Sequence, residues 1–130
     1  MQKSLPLILA REFAANLATP MVLMDDQGRL VFFNEPAEQI IGQTHAAVGE
    51  LGPDEWGRLF DVERIDGTPV EIEKTPAGVT LAERRPAHDT LAFRTVDGVR
   101  HEIAVTAFPL LGREEELLGV VSVFWKDPNA

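Results

Sequence analysis

Cysteine is absent from this 130-residue chain. Its absence excludes a disulfide, a thiolate zinc site and a cysteine nucleophile. Positive charge is scarce: 12 Lys and Arg face 21 Asp and Glu, a formal net charge of -9. Nucleic acid would be repelled at every phosphate, and no Lys/Arg stripe offsets this, so it is not expected as a partner. Long hydrophobic runs are lacking too. The longest apolar stretch of the N-terminal segment, residues 5–10, is far short of a membrane span and has none of the parts of a signal peptide, so the expectation is a cytoplasmic protein without membrane contact. The chain has neither an internal repeat nor a low-complexity segment.

What is present suits one small domain. Hydrophobic residues make up 45% of the chain against 25% charged, enough apolar material for a core. Asp25-Asp26-Gln27-Gly28 separates two apolar runs, residues 21–24 and 30–33. Gly28 can take the positive φ such a connection needs, so the runs read as a hairpin. Asn34 can cap a following helix whose first turn carries Glu35 and Glu38 and whose left-handed terminus is Gly42.

Leu5, Ile8, Leu9, Phe13 and Leu17 recur at helical spacing, predicting an amphipathic helix over residues 5–17, ended by Pro20. Pro53-Asp54-Glu55 opens a short helical segment holding Trp56 and Phe60, and Thr75-Pro76 starts another that stops near Arg85-Pro86. Three strands follow, over residues 90–95, 100–108 and 117–125, the first two joined by Val96-Asp97-Gly98-Val99. Helices on a face of such an antiparallel sheet make an α+β domain.

Strand, Gly turn, strand, Asn cap and helix in this order resemble the start of a PAS domain, a sensory module of signalling proteins. Asp66-Gly67-Thr68-Pro69, the Glu73/Pro76/Leu81 pattern, Asp97-Gly98, Phe108-Pro109-Leu110 and Gly119-Val120-Val121 look like the later blocks of bacterial PAS sensors. The resemblance implies a five-stranded sheet of order 2-1-5-4-3, with middle helices enclosing a cavity on one face. It divides the chain into an N-terminal helix, 1–19, that caps or dimerises, and a PAS domain, 20–127.

Strand alternation carried onto that arrangement lists a cavity wall of Val22, Met24, Val31, Phe33, Leu91, Phe93, Ile103, Val105, Ala107, Val121 and Val123, with His101 and Asp89 at the rim. Every wall residue is apolar, so the site reads either as packed core or as the seat of an apolar small molecule. Among PAS cofactors, the flavin-cysteinyl adduct and the thioester-linked chromophore are excluded by composition. Haem is disfavoured, because no histidine lies on the helix of residues 76–85; His88 falls just past it. Non-covalent FAD stays open as an alternative, although the cavity wall lacks the amides and charges that usually hold a flavin ring. His45, His88 and His101 share no metal-ligand spacing, and no metal is expected.

Enzymatic readings find little support. Asp61, Glu63, Asp66, Glu71 and Glu73 are dense but have no His or Ser to complete a catalytic set, and read as a solvated face. A cavity enzyme of the ketosteroid-isomerase kind would want an ionisable group on the wall, and none is there. The alternative within the fold is a ligand-free interaction domain. Leu7 lies off the Leu5, Ile8, Leu9 and Phe13 stripe, so the N-terminal helix has more apolar surface than one contact needs, and a homodimer is expected there. Resemblance also implies an effector (kinase, cyclase, phosphatase or regulator) in cis or in trans. Trp125-Lys126-Asp127 keeps the acidic residue of the usual C-terminal motif, with Pro128 in place of its continuation.

Overall fold

The structure, a computed structural model, describes residues 5–95 and 97–126. Val96 in the expected turn, and Asp127 and Pro128 of the C-terminal motif, lie outside the described residues. So do the ends of the two expected segments, at residues 1 and 127.

Local chemistry sets the two hairpins. Between β1 (Met21–Asp25) and β2 (Leu30–Phe33), Asp25 Oδ1 accepts the backbone N–H groups of Gln27 (2.9 Å) and Arg29 (3.0 Å). Gly28 takes φ +79°, and a Cβ there would meet Leu81 at 2.9 Å. The side chain of Thr95 and that of Asp97 bond across the turn between β4 (Ala87–Arg94) and β5 (Arg100–Leu111), where the Thr95 N–H donates to the Val99 carbonyl at 2.9 Å. β6 (Leu117–Lys126) then inserts between β1 and β5.

The antiparallel order is β2-β1-β6-β5-β4-β3. It contains the expected five-strand order and adds an edge strand, β3 (Val62–Glu63), paired with β4. Two residues carry no alternation, so β3 left no hydrophobic signature. Glu63 is not part of a solvated face: its carboxylate accepts from Arg100 Nε at 2.7 Å and approaches Arg94 at 3.7 Å, fixing β3 to the sheet edge.

One sheet face is covered by α2 (Glu35–Ile41), α3 (His45–Val48), α4 (Pro53–Phe60) and α5 (Pro76–Glu83). Here Val22, Met24, Leu30, Phe33, Trp56, Phe93, Ile103, Val120 and Phe124 form the larger core. Gly78 of α5 lies so close to the turn before it that a Cβ would come within 2.1 Å of the Ile72 carbonyl. On the opposite face, α1 (Leu5–Ala15) packs chiefly over β1 and β6, burying Leu7 and Ala14 against Met21, Leu23, Val31 and Val121. The helix stops two residues before the expected 17, where Asn16 Nδ2 donates to the Glu12 carbonyl at 2.9 Å.

Asn34 joins these parts. Its Oδ1 accepts from Ala37 N (3.1 Å), capping α2, and from Met21 N (3.0 Å) at the start of β1. Its Nδ2 donates to the carbonyls of Ala14 (3.0 Å) and Thr19 (2.9 Å), holding the end of α1. The buried amide therefore has its hydrogen-bonding capacity filled, with one side chain serving three elements.

Three wall assignments need correction. Val31 faces α1, because β2 pairs Leu30 with Met24 and Phe32 with Leu23, leaving Val31 as the extra residue of a bulge. Val121 and Val123 also pack beneath α1; Val120, Ser122 and Phe124 face the helices. β6 is apolar on both sides, so alternation could not fix its parity, and a one-residue error exchanges faces. In α1 the sheet contact is Leu7, 4% exposed, whereas Leu5, Leu9 and Phe13 of the stripe are 66%, 58% and 63% exposed.

Candidate functional site

Under α4 and α5 the sheet borders a partly open cavity of about 90 Å³. Its sheet wall comes from five strands: alternate residues Val22 and Met24 on β1, Ser122 and Phe124 on β6, and Ile103 and Val105 on β5, together with Leu91, Ala92 and Phe93 on β4 and Val62 on β3. Trp56, Phe60, Thr75, Pro76 and Ala77 form the roof. Phe93 lies edge-on to both Phe60 and Phe124, each at 6.3 Å between centroids, and Trp56 tilts against Phe60 at 6.1 Å. These contacts suit the aromatic quadrupole and hold the rings as a rigid lining.

The structure thus brings together Val22, Met24, Leu91, Phe93, Ile103 and Val105 around the cavity. Phe33 and Ala107 belong to the same core without lining it. His101 sits opposite Phe93 in the β4–β5 register and stacks on its ring, with centroids 5.3 Å apart and planes inclined by 27°. Burial, and then the nearby Lys126 ammonium, push its pKa below the usual histidine value. Asp89 lies outside the lining, where its Oδ1 accepts from Thr90 N at 2.8 Å.

Sequence reasoning missed two residues. Ser122 lines the cavity, is 6% exposed, and its Oγ has no hydrogen-bond partner among the described residues. The available signal was a lone polar residue between Val121 and Val123 in an apolar strand. His45 is wedged edge-on against Phe32 and Phe33, at 5.3 Å from each ring centroid. Burial and the Arg11 guanidinium lower its pKa. Arg11 itself lies over the Phe32 ring at 4.8 Å, so one phenyl group stands between α1 and His45.

The cavity fits neither of the larger PAS cofactors. Pockets for drug-sized ligands measure about 300–1,000 Å³, and the lining offers haem iron no histidine and a flavin ring no side-chain amide or charge. Among the described residues no cluster of three or more His, Asp or Glu could hold a metal ion. None of their helices is long and apolar enough to cross a membrane.

No model of a known protein family matches the chain, and no curated protein matches it by sequence. Solved structures do. The PAS domain of a protein from Colwellia psychrerythraea superposes with a TM-score of 0.66 at 12% identity, covering 95% of this chain and 98% of that one. The PAS domain of nitrogen regulation protein NR(II) from Vibrio parahaemolyticus gives 0.64 at 18%, covering 96% and 100%. A Rhodobacter sphaeroides LOV protein gives 0.71 at 12%, covering 95% and 68%. The fold is therefore that of a PAS domain, with the antiparallel sheet and helical cover the sequence implied.

Proposed function

We propose that this chain is a sensory and protein-interaction module of the PAS type, without catalytic activity of its own. In this reading a small apolar molecule in the cavity is the input, and the α1 face, engaged with a second copy, is the output toward a protein effector. The observation that carries it is the alternation along β1 and β6. Val22, Met24, Ser122 and Phe124 line the cavity, while their neighbours Met21, Leu23, Val121 and Val123 pack beneath α1. A change at the cavity is one residue away from the helix.

The α1 face supports the second half. Leu5, Leu9 and Phe13 lie one turn apart along the helix, exposed, and Phe108 and Trp125 are exposed on the same sheet face where α1 leaves it uncovered. Such apolar area is unusual on a monomer's surface and suits a self-complementary contact. An enzyme of the ketosteroid-isomerase kind is not supported, because no ionisable side chain lines the cavity. A ligand-free dimerisation domain would keep the α1 interface and lose the input. Sedimentation equilibrium tests the interface: the protein should be a dimer, and a variant with Leu5, Leu9 and Phe13 replaced by Ser should be a folded monomer. A wild type that stays monomeric at high concentration contradicts the reading.

A further inference from the structure

Ser122 is the polar group of the cavity whose side chain makes no hydrogen bond among the described residues. It sits mid-strand on β6, flanked in register by Val22 and Ala107, so its hydroxyl is surrounded by apolar side chains. The other polar atoms nearby are committed. Thr75 Oγ1 donates to the Ile72 carbonyl at 2.7 Å and accepts from Gly78 N at 3.2 Å; Trp56 Nε1 donates to the Gly28 carbonyl at 2.9 Å. A buried hydroxyl in a native fold normally has a partner, and a partnerless one aimed into a cavity calls for something the cavity holds.

The remaining features narrow the occupant. With no charged side chain in the lining, an ionised molecule would lose its hydration with no counter-ion to replace it. Volume limits the size: a cavity of about 150 Å³ holds benzene, so one of about 90 Å³ takes a single ring only when the wall yields, as the flexible Met24 side chain can, and takes nothing larger. Aromatic edges and faces from Trp56, Phe60, Phe93 and Phe124 favour an aromatic ring over an aliphatic chain.

We infer that the cavity binds a neutral, single-ring molecule carrying one hydroxyl or carbonyl group, held by a hydrogen bond to Ser122 Oγ; phenol is its simplest form. The inference rests on the proposed ligand-sensing role and names its ligand class.

The test is titration of the full chain and of Ser122→Ala with phenol, benzene and benzoate, followed through the methyl resonances of Val22, Met24 and Ile103. Wild type should bind phenol about fivefold more tightly than benzene, the worth of one neutral hydrogen bond, and should not bind benzoate. Ser122→Ala should bind the two neutral rings equally while keeping its affinity for benzene. An unchanged phenol-to-benzene ratio in Ser122→Ala overturns the role of Ser122 and leaves the ligand-sensing reading standing. Tight benzoate binding overturns the requirement for neutrality. If wild type binds none of the three, the space is ordinary core or holds only water, and the ligand-sensing reading falls together with this inference.

Discussion

The two faces of the sheet are built from the same strands and have opposite defects. Toward α4 and α5 the helices cover the apolar surface, but the packing leaves a partly open cavity and a hydroxyl without a hydrogen-bond partner among the described residues. Toward α1 the space left is smaller, about 40 Å³ between Leu7, Leu23 and Val31, yet one helix is too narrow for the face, and Phe108, Trp125 and the outer side of α1 stay exposed. Incomplete filling invites a small molecule; incomplete covering invites a protein. The contrast teaches that the same strands can leave a gap on one face and uncovered apolar surface on the other, separated by the thickness of a strand.

The largest expected effect breaks the joint between the faces. Asn34→Ala removes the α2 cap and leaves the Met21 N–H and the Ala14 and Thr19 carbonyls short of partners, so denaturant unfolding should show a loss of about 2–4 kcal/mol. Next comes α1 itself. Leu7→Ala deletes the buried contact and should cost about 2–3 kcal/mol, whereas Leu9→Ala on the exposed side should change monomer stability by less than about 0.5 kcal/mol. Reversed costs would mean that α1 sits in the opposite orientation, and equal costs that Leu7 is not the buried contact. On the cavity face the sign reverses: Ser122→Ala, freed of a buried unpaired hydroxyl, should be more stable than wild type by about 1 kcal/mol in the absence of ligand.

The smallest effect concerns pH. His45 has a folded pKa lowered from 6.5, so on acidification the unfolded chain takes up a proton that the folded chain resists. Stability therefore falls as pH drops through about 6.5, and His101 adds to the same trend. Asp66 and Asp97 have pKa values lowered from 3.8 and lose their stabilisation only at lower pH, outside this window. Urea midpoints at pH 7.5 and 5.5 should lie closer together in His45→Gln than in wild type. An unchanged gap would mean that His45 does not carry the dependence.

How much of this was legible beforehand follows from what each residue type signals locally. Asp25 and Gly28, Asn34 and Gly42, Thr75 and Pro76, and the Asp97-Gly98 pair carry their geometry in their own chemistry, so hairpins, caps and helices could be read directly. Strand parity could be read where polar residues interrupt the apolar ones, as at His88, Thr90, Glu102 and Thr106 on β4 and β5, and those wall positions fall on the cavity side. It could not be read on β6, where both faces are buried, nor on β2, where a bulge consumes Val31. The same limit applied to α1. Both sides are apolar, and only tertiary packing decides that Leu7 goes inward while Leu5, Leu9 and Phe13 stay outside. Ser122 was passed over because its meaning lies in the lack of a neighbour, which no local pattern records.

The central claim is that β1 and β6 form a shared wall through which the cavity acts on α1. Amide hydrogen exchange tests it when the cavity is filled in two independent ways: by phenol, and by Val105→Phe, which needs no ligand. The account predicts that both fillings change the protection of the α1 amides along with those of β1 and β6. Changes confined to α4, α5 and β4, with α1 exchanging as before, would contradict it.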